Sequence, residues 1–266
     1  MKAAIITVAG ISSRFNEGIE EEKRQLKAVY FEGNSKNSLL SHLLDRCDYA
    51  DRIFIVGGFK FDELTDYINT FVKKELQNKV TLIFNEYYEE FGSGYSLYLG
   101  LKNAFLLDHI EEILFVEGDL DIDPESFQRV IHGNASVLTY NTEPIYASKA
   151  VVLYRDNKGN YHYAFNSSHG FLTINEEFSV LLNSGQLWKF RELDILKNAS
   201  ESFFKRNKGG TNLEIIQEYL DHIEQGEIQI IGLKQWTNCN TRDDYRRIKE
   251  RWDRDSEGIA GEITDR

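Results

Sequence analysis

The chain has 266 residues, 41% of them hydrophobic and 28% charged, and a net charge of −12. That length and composition suit one large α/β domain with a sizeable core. The acidic balance, with no basic tract, argues against broad binding to nucleic acid or to an anionic membrane, so an anionic ligand would need a local cluster of cations or a metal.

No apolar run is long enough to span a bilayer, and Met1 is followed by a strand-like segment instead of an apolar leader with a small-residue cleavage site. The expected location is cytoplasmic. Cys47 and Cys239 lie far apart with no CxxC or His/Cys cluster, which reads as two buried free thiols and not as a zinc site or a disulfide framework.

In chain order, KAAIITV (2–8) reads as a strand and SLLSHLLDRC (38–47) as a helix. RIFIVGG (52–58) is a strand ending in glycines, FDELTDYINTFVKKEL (61–76) a helix and KVTLIFN (79–85) a strand. GYSLYLGLKNAFLL (94–107) is a helix, EEILFVEGD (111–119) a strand, PESFQRVI (124–131) a helix opened by Pro124, and ASVLTYN (135–141) a strand. Alternation of helices with continuously apolar strands indicates a mainly parallel sheet with helices on both faces. Ligands of such sheets bind at the carboxyl ends of the strands.

The rhythm changes near residue 141. KAVVLYRDNKGNYHYAF (149–165) reads as a hairpin turning at Asp156–Asn160. SVLLNSGQLWKF (179–190) and LEIIQEYLDHIEQ (213–225) read as helical, IQIIGL (228–233) as a strand and TRDDYRRIKERW (241–252) as an amphipathic helix. No repeat or linker interrupts the chain, and the second half reads as an addition over the sheet.

The stretch VAGISSRF (8–15) closes the first strand. Gly10 permits close backbone approach, Ser12 and Ser13 are small hydroxyl residues, and successive N–H groups in such a turn can cradle an anion. Arg14 is a permanent planar cation suited to phosphate, and Lys27, beyond the acidic stretch 16–25, adds a point charge. The spacing is neither that of a Walker loop nor GxGxxG, which excludes P-loop and dinucleotide readings. The competing reading is an ordinary turn with a solvated arginine.

Taken with the other strand ends, VAGISSRF resembles the AAG-x-G-S-R signature of nucleotidyltransferases that join a nucleoside triphosphate to a phosphorylated small molecule. Lys27, in QLKAVYFEGNSKNSLLSHLL, looks like the lysine of their P-K-x-L segment, with Lys23 and Arg24 as alternatives. NEYYEEFGSGYSLYLGLK (85–102) resembles the N-x-x-Y…YSLYL stretch of the phosphocholine cytidylyltransferase branch. FVEGDLDID (115–123) is similar to the GD strand end that holds magnesium, and WTNCNTRDDYRRI (236–248) to the closing W-x-E-I-D-T-x-E-D-L motif. The resemblance keeps the family order over most of 1–140 and over 228–252. It implies a Rossmann-like sheet sandwiched by helices, of the nucleotide-diphospho-sugar transferase type. It also implies a single domain over 1–266, divided into a nucleotide-binding half (1–140), an acceptor-binding insertion (141–227) and a closing strand and helix (228–252), acting as a monomer or homodimer.

Roles follow by resemblance. Arg14, Lys27 and Asp119 are the implied catalytic residues. Val8, Ala9, Gly10, Ser12 and Ser13 are placed against the phosphates, and Asn85, Gly94, Tyr95 and Ser96, the last three within the glycine/serine loop Gly92–Ser96, around the base. Lys149, Trp188 and Glu214, with Tyr146, are candidate acceptor contacts, aromatic and acidic groups suiting a cationic amine. Mg²⁺ is the implied cofactor, held by Asp119 and Asn240; the phosphocholine-type members usually have Asp at the latter position, and Asn238 is a second candidate. Asp119 also ends a buried strand, where a carboxylate is costly unless paired or metal-bound. Asp121 is a possible outer ligand, Asp123 reads as the cap before Pro124, and Thr241 or Asn240 as the cap of the last helix. His162 and His169 are not at metal-ligand spacing and read as structural or pocket-lining. The implied reaction transfers a nucleotidyl group, CMP from CTP on the strength of YSLYL, to a small phosphorylated acceptor such as phosphocholine or another phosphorylated amine or amino acid, releasing pyrophosphate. The alternatives are a sugar-1-phosphate nucleotidyltransferase using UTP or dTTP and a non-catalytic nucleotide-binding module.

Overall fold

The structure is a computed structural model that describes residues 1–147, 150–164, 167–168 and 171–264. In chain order the elements are β1 (Lys2–Val8), α1 (Leu39–Cys47), β2 (Arg52–Gly57), α2 (Phe61–Phe71), α3 (Lys74–Gln77), β3 (Val80–Phe84), α4 (Ser93–Ala104), β4 (Glu112–Glu117), β5 (Leu120–Ile122), α5 (Pro124–His132), β6 (Ser136–Asn141), β7 (Val152–Asp156), β8 (Tyr161–Tyr163), β9 (Ser167–Ser168), β10 (Phe171–Leu172), β11 (Phe178–Phe190), α6 (Leu193–Arg206), α7 (Asn212–Leu220), β12 (Ile228–Gly232), β13 (Trp236–Asn238) and α8 (Arg242–Thr264).

The main sheet runs β12-β6-β11-β4-β1-β2-β3. Along this path the pairings are parallel except those of β11, which is antiparallel to both β4 and β6; off the path, β7 is antiparallel to β11 and β8 to β7. The mainly parallel, helix-sandwiched α/β architecture is therefore present. Its cause is visible in β1: Ala4, Ile6 and Val8 enter the core shared with α1, α2 and α5, while Ala3 and Ile5 enter the core shared with α4, α6 and α7. A strand apolar on both faces requires cover on both. A third cluster, Phe15, Leu39, Cys239, Tyr245, Ile248 and Trp252, docks α8 beside the end of β1. Burial pushes both free thiols, Cys47 and Cys239, up to about 12. Among the described residues no helix is long and apolar enough to cross a membrane.

Two local expectations are corrected. SVLLNSGQLWKF is not helical but lies within β11, because the gap between β4 and β6 needs a strand there. The expected helix 61–76 breaks at Val72, whose extended backbone is stabilised by Gln77: its Nε2 donates to the carbonyls of Ile68 (2.9 Å), Asn69 (3.2 Å) and Val72 (2.8 Å). Helix α6 was not anticipated. The 156–160 hairpin turn and the Asp123 cap are as expected, Asp156 accepting from the Asn160 amide and Asp123 from the Ser126 amide, both at 2.8 Å.

Candidate active site

Strands β1 and β4 lie parallel with Thr7 opposite Glu117. Just beyond, Gly118 donates to the Thr7 carbonyl at 3.0 Å, and a Cβ there would stand 2.2 Å from Cγ1 of Val8. Only glycine fits this crossing, and it sets Asp119 beside the loop that leaves β1. The result is a cleft of about 320 Å³ at the carboxyl ends of the strands, where ligands of such sheets bind. One wall is Val8, Ala9, Gly10 and Ser12, the floor is Glu117 to Asp119, and the far wall is Tyr88, Phe91, Gly92, Ser93 and Ser96.

The loop after β1 is a built turn. Ser12 holds a left-handed backbone, φ 55°. Buried Asn16 ties both ends of the acidic stretch together: its Nδ2 donates to the carbonyls of Ser12 (3.1 Å) and Gln25 (2.9 Å), and its Oδ1 accepts from the Gln25 amide (3.0 Å). This brings Lys27 into the cleft, where Nζ meets Asp119 Oδ2 at 2.9 Å. Lys23 pairs instead with Glu20 at 2.5 Å and Arg24 with the Ile19 carbonyl at 3.5 Å, so Lys27 is the cation of the three that lines the cleft. Arg14 and Ser13 do not line it; Arg14 Nη2 donates to Asn240 Oδ1 at 2.8 Å across to the start of α8. That helix begins with a reciprocal cap: Thr241 Oγ1 accepts from the Asp244 amide (3.1 Å), and Asp244 Oδ2 accepts from the amides of Asn240 (3.0 Å) and Thr241 (2.8 Å).

Glu117, absent from the sequence-derived site, is the second carboxylate of the floor. Burial, and then the Asp119 charge, raise its pKa to about 7, although Asn212 donates to its Oε1 at 2.6 Å. The signal was available: Glu117 is the last residue of β4 and Asp119 lies in the turn that follows it, both at the carboxyl end where such sheets bind ligands.

The far wall is clasped from behind. The Gly92 and Gly94 amides donate to the carbonyls of Lys208 and Gly210, each at 3.2 Å, and Ser93 Oγ accepts from the Asn212 amide, also at 3.2 Å. A Cβ on Gly92 would sit 2.1 Å from the Gly210 oxygen. Glu214 belongs to this clasp, accepting from Asn207 Nδ2 at 3.1 and 3.2 Å. Ser96 lines the cleft one turn into α4, and buried Asn85 stands behind it, Nδ2 to Ser96 Oγ at 3.0 Å. Tyr95 lies outside the lining and packs with Tyr87, Phe91, Tyr98 and Phe204.

Among the described residues no group of three or more His, Cys, Asp and Glu could hold a metal by itself. Asp119 nevertheless keeps Oδ1 buried and without a hydrogen-bond partner there. A bare carboxylate oxygen beside an anion-binding loop fits Mg²⁺, which is commonly held by one or two carboxylates and completed by substrate phosphates. Of the two amide candidates, Asn240 has its oxygen engaged by Arg14, whereas the Asn238 oxygen is buried and unpaired among the described residues.

Other expected residues fall elsewhere. Trp188 is fully buried, stacked on Phe115 with centroids 5.0 Å apart and donating from Nε1 to Tyr163 Oη at 2.6 Å; it has no surface to offer an acceptor. Asp121 is no outer ligand: it is buried and holds Arg251 and, at 2.9 Å, Trp252 Nε1, fastening α8 to the sheet. Tyr146 is exposed. His162 sits between Asp156 (3.3 Å) and Gln217 (3.2 Å) as a bridge from hairpin to α7. Lys149 and His169 lie outside the described residues.

Residues 23–252 match the family described as a domain of unknown function, DUF6564. The chain belongs to that family. No curated protein matches it. Among solved structures, the chain's fold is similar to that of the inositol-1-phosphate CTP transferase from T. maritima, with a TM-score of 0.65 and 13% identity over 94% of this chain and 95% of that one. The CTP:phosphocholine cytidylyltransferase from Streptococcus pneumoniae gives a TM-score of 0.61 and 15% identity over 94% and 98%. A UDP-glucose pyrophosphorylase complexed with UDP-glucose gives 0.65 and 12% over 96% and 99%. At these identities the likeness is one of fold: the chain shares the architecture of these three proteins over nearly its whole length.

Proposed function

We propose that this DUF6564 protein is a nucleotidyltransferase that moves a nucleotidyl group, CMP from CTP, onto a small phosphorylated acceptor such as phosphocholine or another phosphorylated amine or amino acid. The observation that carries the reading is the Lys27–Asp119 pair at 2.9 Å, set where the VAGISSRF loop meets the end of β4. An acceptor phosphate oxygen attacks the α-phosphorus in line; the new O–P bond forms as the bond to the β-phosphate oxygen breaks, and pyrophosphate leaves. The acceptor is already an anion, so no protein base or nucleophile is required. Catalysis is then positioning and neutralisation of phosphate charge. Lys27 supplies a cation in the cleft and Arg14 one at its edge, while the backbone N–H groups of Gly10 and Ser12, which line the cleft, suit the triphosphate. Asp119, with an amide oxygen of Asn240 or Asn238, would hold Mg²⁺, which when bound neutralises phosphate charge.

YSLYL, beginning at Tyr95, favours CTP. The sugar-1-phosphate reading with UTP or dTTP draws support from the similarity to UDP-glucose pyrophosphorylase. A non-catalytic nucleotide-binding module draws support from the Asn240 oxygen being taken by Arg14. Thermal-shift titration with each nucleoside triphosphate separates them, together with the Asp119→Ala variant. CTP-selective stabilisation, and turnover abolished in a folded Asp119→Ala protein, is the expected outcome. UTP- or dTTP-selective stabilisation favours the sugar-phosphate reading, and undiminished turnover in the variant contradicts the role of Asp119.

A further inference from the structure

The charged groups lining the cleft are Lys27, Asp119 and Glu117. Lys27 is committed to Asp119. Glu117 has a neutral donor, Asn212, on Oε1, and among the described residues no lysine or arginine forms an ion pair with it. A carboxylate at the floor of a phosphate-binding cleft repels the ligand the cleft is built to hold unless a cation pairs with it.

The neighbours of the two carboxylates differ. The backbone of Asp119 accepts from the Cys239 amide at 2.8 Å and its side chain meets Lys27, so it belongs to the phosphate side. Glu117 is tied by Asn212 to α7. The register of β11 on β4 ends with Leu187 opposite Val116, the residue before Glu117, and Gln186 is the next residue of β11. Gln186 is buried and holds a left-handed backbone, φ 53°, at the bulge of β11, the kind of strained position that clusters at ligand sites. Glu117 therefore faces elements of the second half of the chain.

We propose that Glu117 is a specificity residue for the acceptor, positioned by Asn212 and binding an ammonium group that carries N–H bonds on a phosphorylated substrate. This rests on the nucleotidyl-transfer reading above. A carboxylate pairs best with a cation that donates hydrogen bonds. A quaternary ammonium has none to donate and is recognised by ring faces; the rings at this cleft, Tyr88 and Phe91, belong to the segment before α4 and not to the strands around Glu117.

The test is calorimetric binding of phosphoethanolamine, phosphocholine and 2-hydroxyethyl phosphate to the full chain with Mg²⁺, with and without an unreactive CTP analogue, for wild type, Glu117→Gln and Glu117→Asp. Wild type is expected to favour phosphoethanolamine at least tenfold over the other two, Glu117→Gln to bind all three within about threefold, and Glu117→Asp to fall between. Equal binding by wild type, binding of none, or a preference that survives in Glu117→Gln overturns the proposal. So does a Glu117→Gln protein whose Mg²⁺ requirement changes while its preference does not. Absence of pyrophosphate release with the amine preference intact would contradict the transferase reading while upholding Glu117 as the ammonium site.

Discussion

Replacing Lys27 by methionine is a perturbation with two separable consequences. The Lys27 and Asp119 side chains are 15% and 24% exposed, and their pair closes at 2.9 Å. Among the described residues Asp119 Oδ1 is already buried and unpaired, and Glu117 lies two residues away. Lys27→Met therefore strands a carboxylate beside another carboxylate. Breaking a buried pair from one side costs roughly 3–5 kcal/mol, an exposed pair about 0–1 kcal/mol. Partial exposure puts the expected loss at about 2 kcal/mol. Adding Asp119→Asn removes the stranded charge and should return about 1–2 kcal/mol, so the double variant is more stable than Lys27→Met alone. Urea unfolding of the four proteins closes the cycle. Activity does not follow stability: each variant, the double included, is expected to lose at least about a hundredfold in pyrophosphate release, since preorganised charge is what the site supplies. A Lys27→Met protein with wild-type stability, or a double variant losing the sum of the two single losses, would refute the pairing argument.

The His42 ring stacks on Trp252 at 3.7 Å, and burial followed by Arg46 lowers its pKa from 6.5 to about 4. A base depressed in the folded state contributes stability that is present above about pH 6.5 and lost as pH falls towards 4, in full about 3 kcal/mol; His42→Phe should flatten the stability profile between those limits, and identical profiles would reject the assignment. Gly92→Ala drives a Cβ to 2.1 Å from the Gly210 carbonyl oxygen, so about 1–3 kcal/mol of stability and the hydrogen-exchange protection of the Gly94 amide should be lost together. Trp188→Ala removes a fully buried indole and should cost about 3–5 kcal/mol without selectively changing acceptor KM; a selective change would return Trp188 to the acceptor site.

Strands β1, β2 and β4 were legible because each is apolar on both faces, with β2 ending at Gly57 and β4 at Glu117. Strand β11 was not. Its bulge between Ser184 and Trp188, with the left-handed Gln186, breaks any period-two pattern, and the sequence alone does not reveal that the gap beside β4 must be filled by a strand. The cleft was legible where chemistry sits at strand ends: Gly10, Ser12, Lys27 and Asp119 do line it. The choice of Lys27 over Lys23 and Arg24 depended on Asn16 folding the intervening acidic stretch back on itself, a contact without a sequence pattern. Trp188 misled because an aromatic residue looks the same in a core as in a pocket. Glu117 belongs to no motif of its own beside the Gly118–Asp119 pair, although it ends the same strand.

The central claim is tested most directly by pyrophosphate release with Mg²⁺, each of the four nucleoside triphosphates and a panel of phosphorylated acceptors, wild type against Asp119→Ala. The account predicts release that requires both CTP and an amine-bearing phosphate and that disappears in the variant. Silence across the panel, or release that Asp119→Ala leaves unchanged, would contradict it.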